Sequence, residues 1–100
     1  MTDPEQTIAK LMERFPNCFD AAAPRPLAIG IFHDLRKAAP EIAADDLSAA
    51  LAAYARTDSY LKAMASRRAA RVNLSGEPVA AVSKDDAERA RRTVAARAAR

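Results

Sequence analysis

Arg25-Pro26-Leu27-Ala28-Ile29-Gly30-Ile31-Phe32-His33-Asp34-Leu35 changes its apolar spacing partway through. Leu27, Ile29 and Ile31 alternate as an extended segment does, whereas Ile31, Phe32 and Leu35 recur at helical spacing. The stretch reads as a short extended entry that feeds a helix. That helix stops before Pro40, because the residue ahead of a proline is driven out of the helical region. Gly30 sits at the joint, where a missing side chain lets other backbone or a ligand approach closely. Upstream, residues 20–26 form a loop punctuated by Pro24 and Pro26.

Working outward, helices flank this joint on both sides. Asp3-Pro4-Glu5-Gln6 is a helix start, with Asp3 as cap, Pro4 in the first helical position and Gln6 closing a capping box. Ile8, Leu11, Met12 and Phe15 make one apolar stripe, and Pro16 ends the run. Downstream, Asp45 and Asp46 open a third helix that buries Leu47, Ala50, Leu51 and Tyr54, with alanines that favour helix and close packing. Arg56 and Thr57 interrupt it, and Thr57 caps a short fourth helix holding Tyr60, Leu61 and Met64. Residues 71–82 then read as a β-hairpin: Val72 and Leu74 alternate with polar neighbours, and a Ser75-Gly76 turn follows. Pro78 cannot donate to a ladder and belongs at an edge. Ser83 and Asp86 form a capping box for a last, arginine-rich helix with a weak stripe at Ala87, Ala90 and Val94. The class is α+β with α predominating: about five helices and a small β component in one domain. Its core covers roughly residues 5–92, with a basic helical end at 93–100.

The chain has 100 residues, half of them hydrophobic but only 5% aromatic, enough for one modest core and little for a deep substrate cavity. The formal net charge of +3 is unevenly placed. Residues 1–50 hold five Lys/Arg against eight Asp/Glu, and residues 51–100 hold eleven against five. Such asymmetry favours an anionic partner over a uniformly solvated surface. The single cysteine, Cys18, permits no internal disulfide and reads as a small buried hydrophobe. The acidic N-terminal stretch gives no signal peptide, and no apolar run approaches the ~18 residues of a membrane span, so the expected compartment is the cytoplasm.

Enzyme chemistry finds little support. One histidine, His33, and one cysteine make neither a metal site nor a nucleophilic pair. Asp45-Asp46 and Asp85-Asp86 open helices, where acids complement the dipole. No glycine-rich phosphate loop exists, since Gly30 and Gly76 are the only glycines. No cofactor, metal or small-molecule substrate is expected. Residues 56–72 say more: Arg56, Lys62, Arg67, Arg68 and Arg71 face one acid, Asp58. They run from a helix start through a loop into the hairpin, bracketing a concave corner. Free N–H groups at Thr57-Asp58-Ser59 suit a phosphate or a terminal hydroxyl. Tyr60 suits base stacking or a bond to phosphate or ribose, with Arg71 closing the site from the hairpin.

Two runs carry a resemblance. Glu13-Arg14-Phe15-Pro16-Asn17-Cys18-Phe19 precedes the Arg25–Leu35 stretch, and Ala50-Leu51, Tyr54, Tyr60-Leu61 and Arg71-Val72-Asn73-Leu74-Ser75-Gly76-Glu77-Pro78 follow in order. The series resembles the ProQ/FinO family of bacterial RNA chaperones from about Ile8 to Arg92. The resemblance implies a compact, mostly helical, monomeric domain that binds a base-paired stem followed by a single-stranded 3′ tail, as in terminator hairpins of small RNAs and messenger 3′ ends. Carried over, Tyr60 matches the family's RNA-contacting tyrosine and Arg71 its hairpin arginine. Arg25 and Gly30 match the loop-to-helix motif beside the RNA face, while Ser59, Tyr60 and Leu61 match the helix start at the 3′-end pocket. Ala28, Ser48, Ala52 and Ser59 stand where the family often has cations, and Asn73 and Ser75 where it has aspartates. Lys62, Arg67 and Arg68 compensate with extra charge. The expected function is post-transcriptional regulation by RNA binding, with alanine at Tyr60 or Arg71 weakening binding while the fold survives. The alternative is a protein-interaction module of the same fold with weakened RNA affinity.

Overall fold

A computed structural model describes residues 3–100. The chain runs α1 (Pro4–Arg14), α2 (Ile31–Ala38), α3 (Ala44–Ala55), α4 (Asp58–Ala65), β1 (Ala70–Val72), β2 (Pro78–Ala81) and α5 (Lys84–Ala98). Asp3 caps α1 by accepting the Glu5 N–H at 3.0 Å. Its carbonyl takes the N–H groups of Gln6 and Thr7, so the cap works through Glu5 where the sequence suggested a reciprocal bond with Gln6. Leu11 is fully buried, and Ile8, Met12 and Phe15 pack half-buried against the core. This stripe seats α1 on α3.

The extended entry is shorter than the alternation suggested. Leu27 bridges Val72 in parallel, with Ala28 N donating to Val72 O and Val72 N to Pro26 O, both at 2.9 Å. Ile29 is 83% exposed: the chain turns at Gly30 and points it outward. Gly30 has φ +88 and begins α2 in the left-handed region, but a Cβ there would meet nothing within 4 Å. Within the protein the glycine serves backbone conformation, and no other backbone approaches it closely.

On the other side of β1, β2 pairs antiparallel in the register Ala70↔Ala81, Arg71↔Ala80 and Val72↔Pro78, with an irregularity between Arg71 and Val72. Pro78 opens the outer strand, where its missing N–H costs no ladder bond. Asn73 builds the turn by accepting the N–H groups of Ser75 and Glu77, each at 3.0 Å. Gly76 (φ +84) lies so close to the loop before α2 that a Cβ would sit 2.6 Å from Asn17 O and 2.7 Å from the Arg25 guanidinium. Hairpin tip and loop thus lock together.

Phe19, Leu27, Leu35, Leu47 and Val72 fill the centre. Phe19 meets Tyr54 edge-on with ring centres 5.3 Å apart, and Tyr54 meets Tyr60 at 5.5 Å. Cys18 is buried against this cluster; desolvation raises its thiol pKa to about 11, against a smaller lowering by Arg25. Ser83 caps α5 by accepting the Asp86 N–H, and Ala87 and Ala90 lay the helix along α4. The helix continues unbroken to Ala98, and Arg97 ties its last turns to Arg56 and Asp58. No helix among the described residues is long and apolar enough to cross a membrane.

Candidate nucleic-acid interface

Thr57 starts α4 as the sequence requires: its hydroxyl accepts the Tyr60 N–H at 3.3 Å while its carbonyl takes that of Leu61. Asp58 in the first turn brings negative charge to this helix start. Arg97 offsets it, donating to Asp58 Oδ1 and to the Arg56 carbonyl, both at 2.7 Å. Thr57 and Ser59 border a small hollow of about 120 Å³ with Ile8, Ala21, Pro24 and Tyr54.

Tyr60 departs from expectation. It is only 6% exposed, and its hydroxyl accepts the buried Leu27 N–H at 3.1 Å. Burial raises its pKa, against lowering by the Leu27 bond and by Arg71, so the ring stays neutral. With its hydroxyl committed and its ring against Tyr54, Tyr60 is a core residue with one edge on a surface hollow. A ring face free to stack on a base is not there.

That hollow, about 330 Å³, is lined by Tyr60, Leu61 and Met64 of α4, Arg71 of β1, and Asp86 and Arg89 of α5, among others. The Arg71 guanidinium, 11% exposed, is held at both ends: Nη1 donates to Leu27 O at 2.8 Å and Nη2 to Asp86 Oδ2 at 3.0 Å. Asp86 also lies 3.6 Å from Arg89. Of a guanidinium's five donors, these contacts leave others for a ligand, in a fixed orientation.

The remaining predicted cations lie elsewhere. Arg67 and Arg68 line a groove of about 580 Å³ with Lys84, Ala87 and Arg91 of α5. Lys62 borders a 280 Å³ hollow that shares Ser66 and Arg91 with that groove. At 100° per residue, Lys84, Ala87, Arg91 and Ala95 occupy one flank of α5, and Asp86, Arg89 and Thr93 the opposite flank. The expectation of one concave corner is therefore corrected. Tyr60, Leu61 and Arg71 share one hollow, Thr57 and Ser59 border another, and Lys62, Arg67 and Arg68 gather across α5. Lys84 and Arg91 were missed in the sequence, although their i, i+7 spacing around Ala87 already placed them on one helix side.

Arg25 donates to the Asn17 carbonyl and braces the loop under Gly76, and Gly30 is exposed at the start of α2. Both lie in the loop-to-helix motif, apart from the α5 hollows. No group of three or more His, Cys, Asp or Glu side chains among the described residues is arranged to hold a metal.

Known proteins share this fold. The chain is 37% identical over 98 residues to an RNA chaperone ProQ of Idiomarina loihiensis, covering 94% of this chain and 47% of that protein. It is 33% identical, with the same coverage, to an RNA chaperone ProQ of Aliivibrio fischeri. The chain thus spans about half the length of these relatives. A ProQ homolog from Legionella pneumophila superposes with a TM-score of 0.78 at 29% identity, over 99% of this chain and 86% of that one. A FinO-like RNA chaperone from Neisseria meningitidis gives 0.75 at 28%, over 88% and 89%. The ProQ/FINO family matches residues 1–100, and the chain belongs to that family.

Proposed function

We propose that this chain is a non-enzymatic, monomeric RNA-binding domain of the RNA-chaperone kind, acting in the bacterial cytoplasm on a base-paired stem that ends in a single-stranded 3′ tail. The observation that carries this reading is the anchored Arg71 at the floor of a 330 Å³ hollow. That volume lies at the small end of the ~300–1,000 Å³ range of ligand pockets, room for a terminal nucleotide and too little for a stem. Arg71 and Arg89 supply charge for its phosphate, Leu61 and Met64 give apolar contact for its base or ribose, and Tyr60 holds Leu27 and α4 in register beneath. Sequence readout is slight, because an A-form stem hides its base edges in a narrow major groove.

A terminator hairpin with and without its 3′ tail, titrated by gel shift or filter binding, tests the reading. Loss of the tail lowers affinity at least tenfold on this account, and equal affinity for both RNAs refutes the hollow as a 3′-end site. The interaction-module alternative draws on the ion pairs that occupy Arg14, Arg71 and Arg97 internally. Capture of a protein partner that survives ribonuclease, with no RNA binding by the isolated chain, would favour it.

A further inference from the structure

The flank of α5 turned away from Arg71 gathers cations that make no ion pair among the described residues. Arg67 and Arg68 enter it from the turn between α4 and β1, and Lys84 and Arg91 from α5. Lys62 extends the row where the groove passes Ser66. No aspartate or glutamate lines either hollow. None of these five cations takes part in an ion pair among the described residues, unlike Arg14, Arg71, Arg89 and Arg97. Arg68 has φ +58, the one non-glycine residue among those described with a positive φ.

We propose that this groove is a second RNA surface, which holds the sugar–phosphate backbone of the stem while the 3′ end occupies the Arg71 hollow across α5. The inference rests on the RNA reading above and adds where the duplex lies. Its floor is made of alanines, Pro78 and Val82, small groups that let a backbone approach the cations closely. Protein partners are usually anchored by bulky aromatic or aliphatic residues in pockets, and the groove offers no aromatic side chain. Phosphates need only positive donors at the right spacing, and duplex RNA is recognised through shape and backbone. The two sites are separated by the body of α5, about 10–12 Å across with its side chains. One RNA can reach both by passing around a single helix.

Salt dependence tests the assignment. Arg67→Gln, Arg68→Asn, Lys84→Gln and Arg91→Gln combined remove four charges; asparagine at 68 tolerates the left-handed backbone. A control with Lys10, Arg36, Lys37 and Arg100 all changed to Gln loses the same net charge elsewhere. Each neutralised phosphate contributes about 0.7–0.9 to the slope of log affinity against log salt. The groove variant should lose about 3 from that slope while keeping its preference for a 3′ tail, and the control should lose less than 1. Glu88, exposed on α5 one turn beyond Lys84, gives an independent measure. Glu88→Gln should tighten binding, a gain that misfolding cannot produce.

An unchanged slope in the groove variant, or equal losses in variant and control, overturns the groove assignment and leaves the RNA reading standing. Competition by polyglutamate as effective as duplex RNA at equal charge also overturns it, in favour of an acidic protein partner. If the unaltered chain binds neither RNA, the RNA reading itself fails, and this inference with it.

Discussion

Tyr60→Phe separates what Tyr60 does for the fold from what the sequence expected it to do for RNA. The change removes one oxygen and leaves the ring against Tyr54. That oxygen accepts the Leu27 N–H at 3.1 Å in a buried setting, so phenylalanine strands a backbone donor. An unsatisfied buried N–H costs about 1–3 kcal/mol. For a domain of this size, each kcal/mol lowers Tm by roughly 4–8 °C, which places the expected drop at roughly 5–20 °C. Even from ~5 kcal/mol of starting stability, more than about 95% of the variant stays folded at 20 °C, so apparent RNA affinity changes by less than about 1.1-fold. Thermal melts followed by circular dichroism, beside filter binding at 20 °C, give both readings. An unchanged Tm with binding lost would refute this account, because the hydroxyl would then contact RNA and not Leu27. Tyr60→Ala cannot make the distinction: emptying a buried aromatic site costs ~3–5 kcal/mol, enough to unfold a marginal domain.

Gly76→Ala should be far more damaging than Gly30→Ala. Both have positive φ, at roughly 1–2 kcal/mol for an L-residue, but only Gly76 also faces backbone at 2.6 Å, and chemical denaturation that ranks the two equally would exclude this loop–hairpin lock. Arg71→Lys keeps the charge but loses the planar fork that spans Leu27 O and Asp86. The 3′-tail preference should therefore fall while the salt slope holds, and a retained preference would make Arg71 a simple point charge. Cys18 should resist alkylation at pH 8 in the folded chain and react on unfolding. Its thiol pKa is raised when folded, so the unfolded chain deprotonates first, and stability falls as pH rises from about 9 toward 11. Between pH 7.5 and 10.5 the unaltered chain should lose about 1–3 kcal/mol more than Cys18→Ala in denaturant titrations, because the raised Tyr54 and Tyr60 contribute equally to both.

The helices were legible because their signals are local. Asp3, Thr57 and Ser83 cap where a short polar side chain can reach a free N–H, and Pro16 and Pro40 end runs that cannot continue past them. The hairpin was legible from the same kind of cue at Asn73-Leu74-Ser75-Gly76. Tyr60 was not, because its role depends on Leu27, thirty-three residues earlier, arriving beside it through the bridge to Val72. A tyrosine at a helix start looks the same whether its hydroxyl meets water or a buried amide. Ile29 failed for the opposite reason. Its apolar alternation was real, but Gly30 turned the chain before a second bridge could form. The division of cations between two flanks of α5 was open to reading at 100° per residue, since Lys84 and Arg91 fall on one side of the helix and Arg89 on the other.

Asp86 bears on how the Arg71 hollow could hold an anion at all. A carboxylate there works against a phosphate, and its removal would raise the local positive potential. Yet without Asp86, Arg71 would keep only the Leu27 carbonyl, and a long side chain with one anchor loses its orientation and spends entropy on each binding event. The same carboxylate sits in the first turn of α5, where the helix dipole stabilises it, and its backbone N–H is the one capped by Ser83. Start of helix, cap and arginine clamp are thus a single construction, and moving the acid would disturb all three. The hollow trades some attraction for a guanidinium that is already aimed. On the proposed reading the trade favours a chain end over the many internal phosphates of an RNA, because discrimination depends on geometry where every competitor carries the same charge. The groove on the opposite flank, with no acid among its lining residues and no ion pair holding its cations, would on the same reading take the reverse task of gripping any backbone.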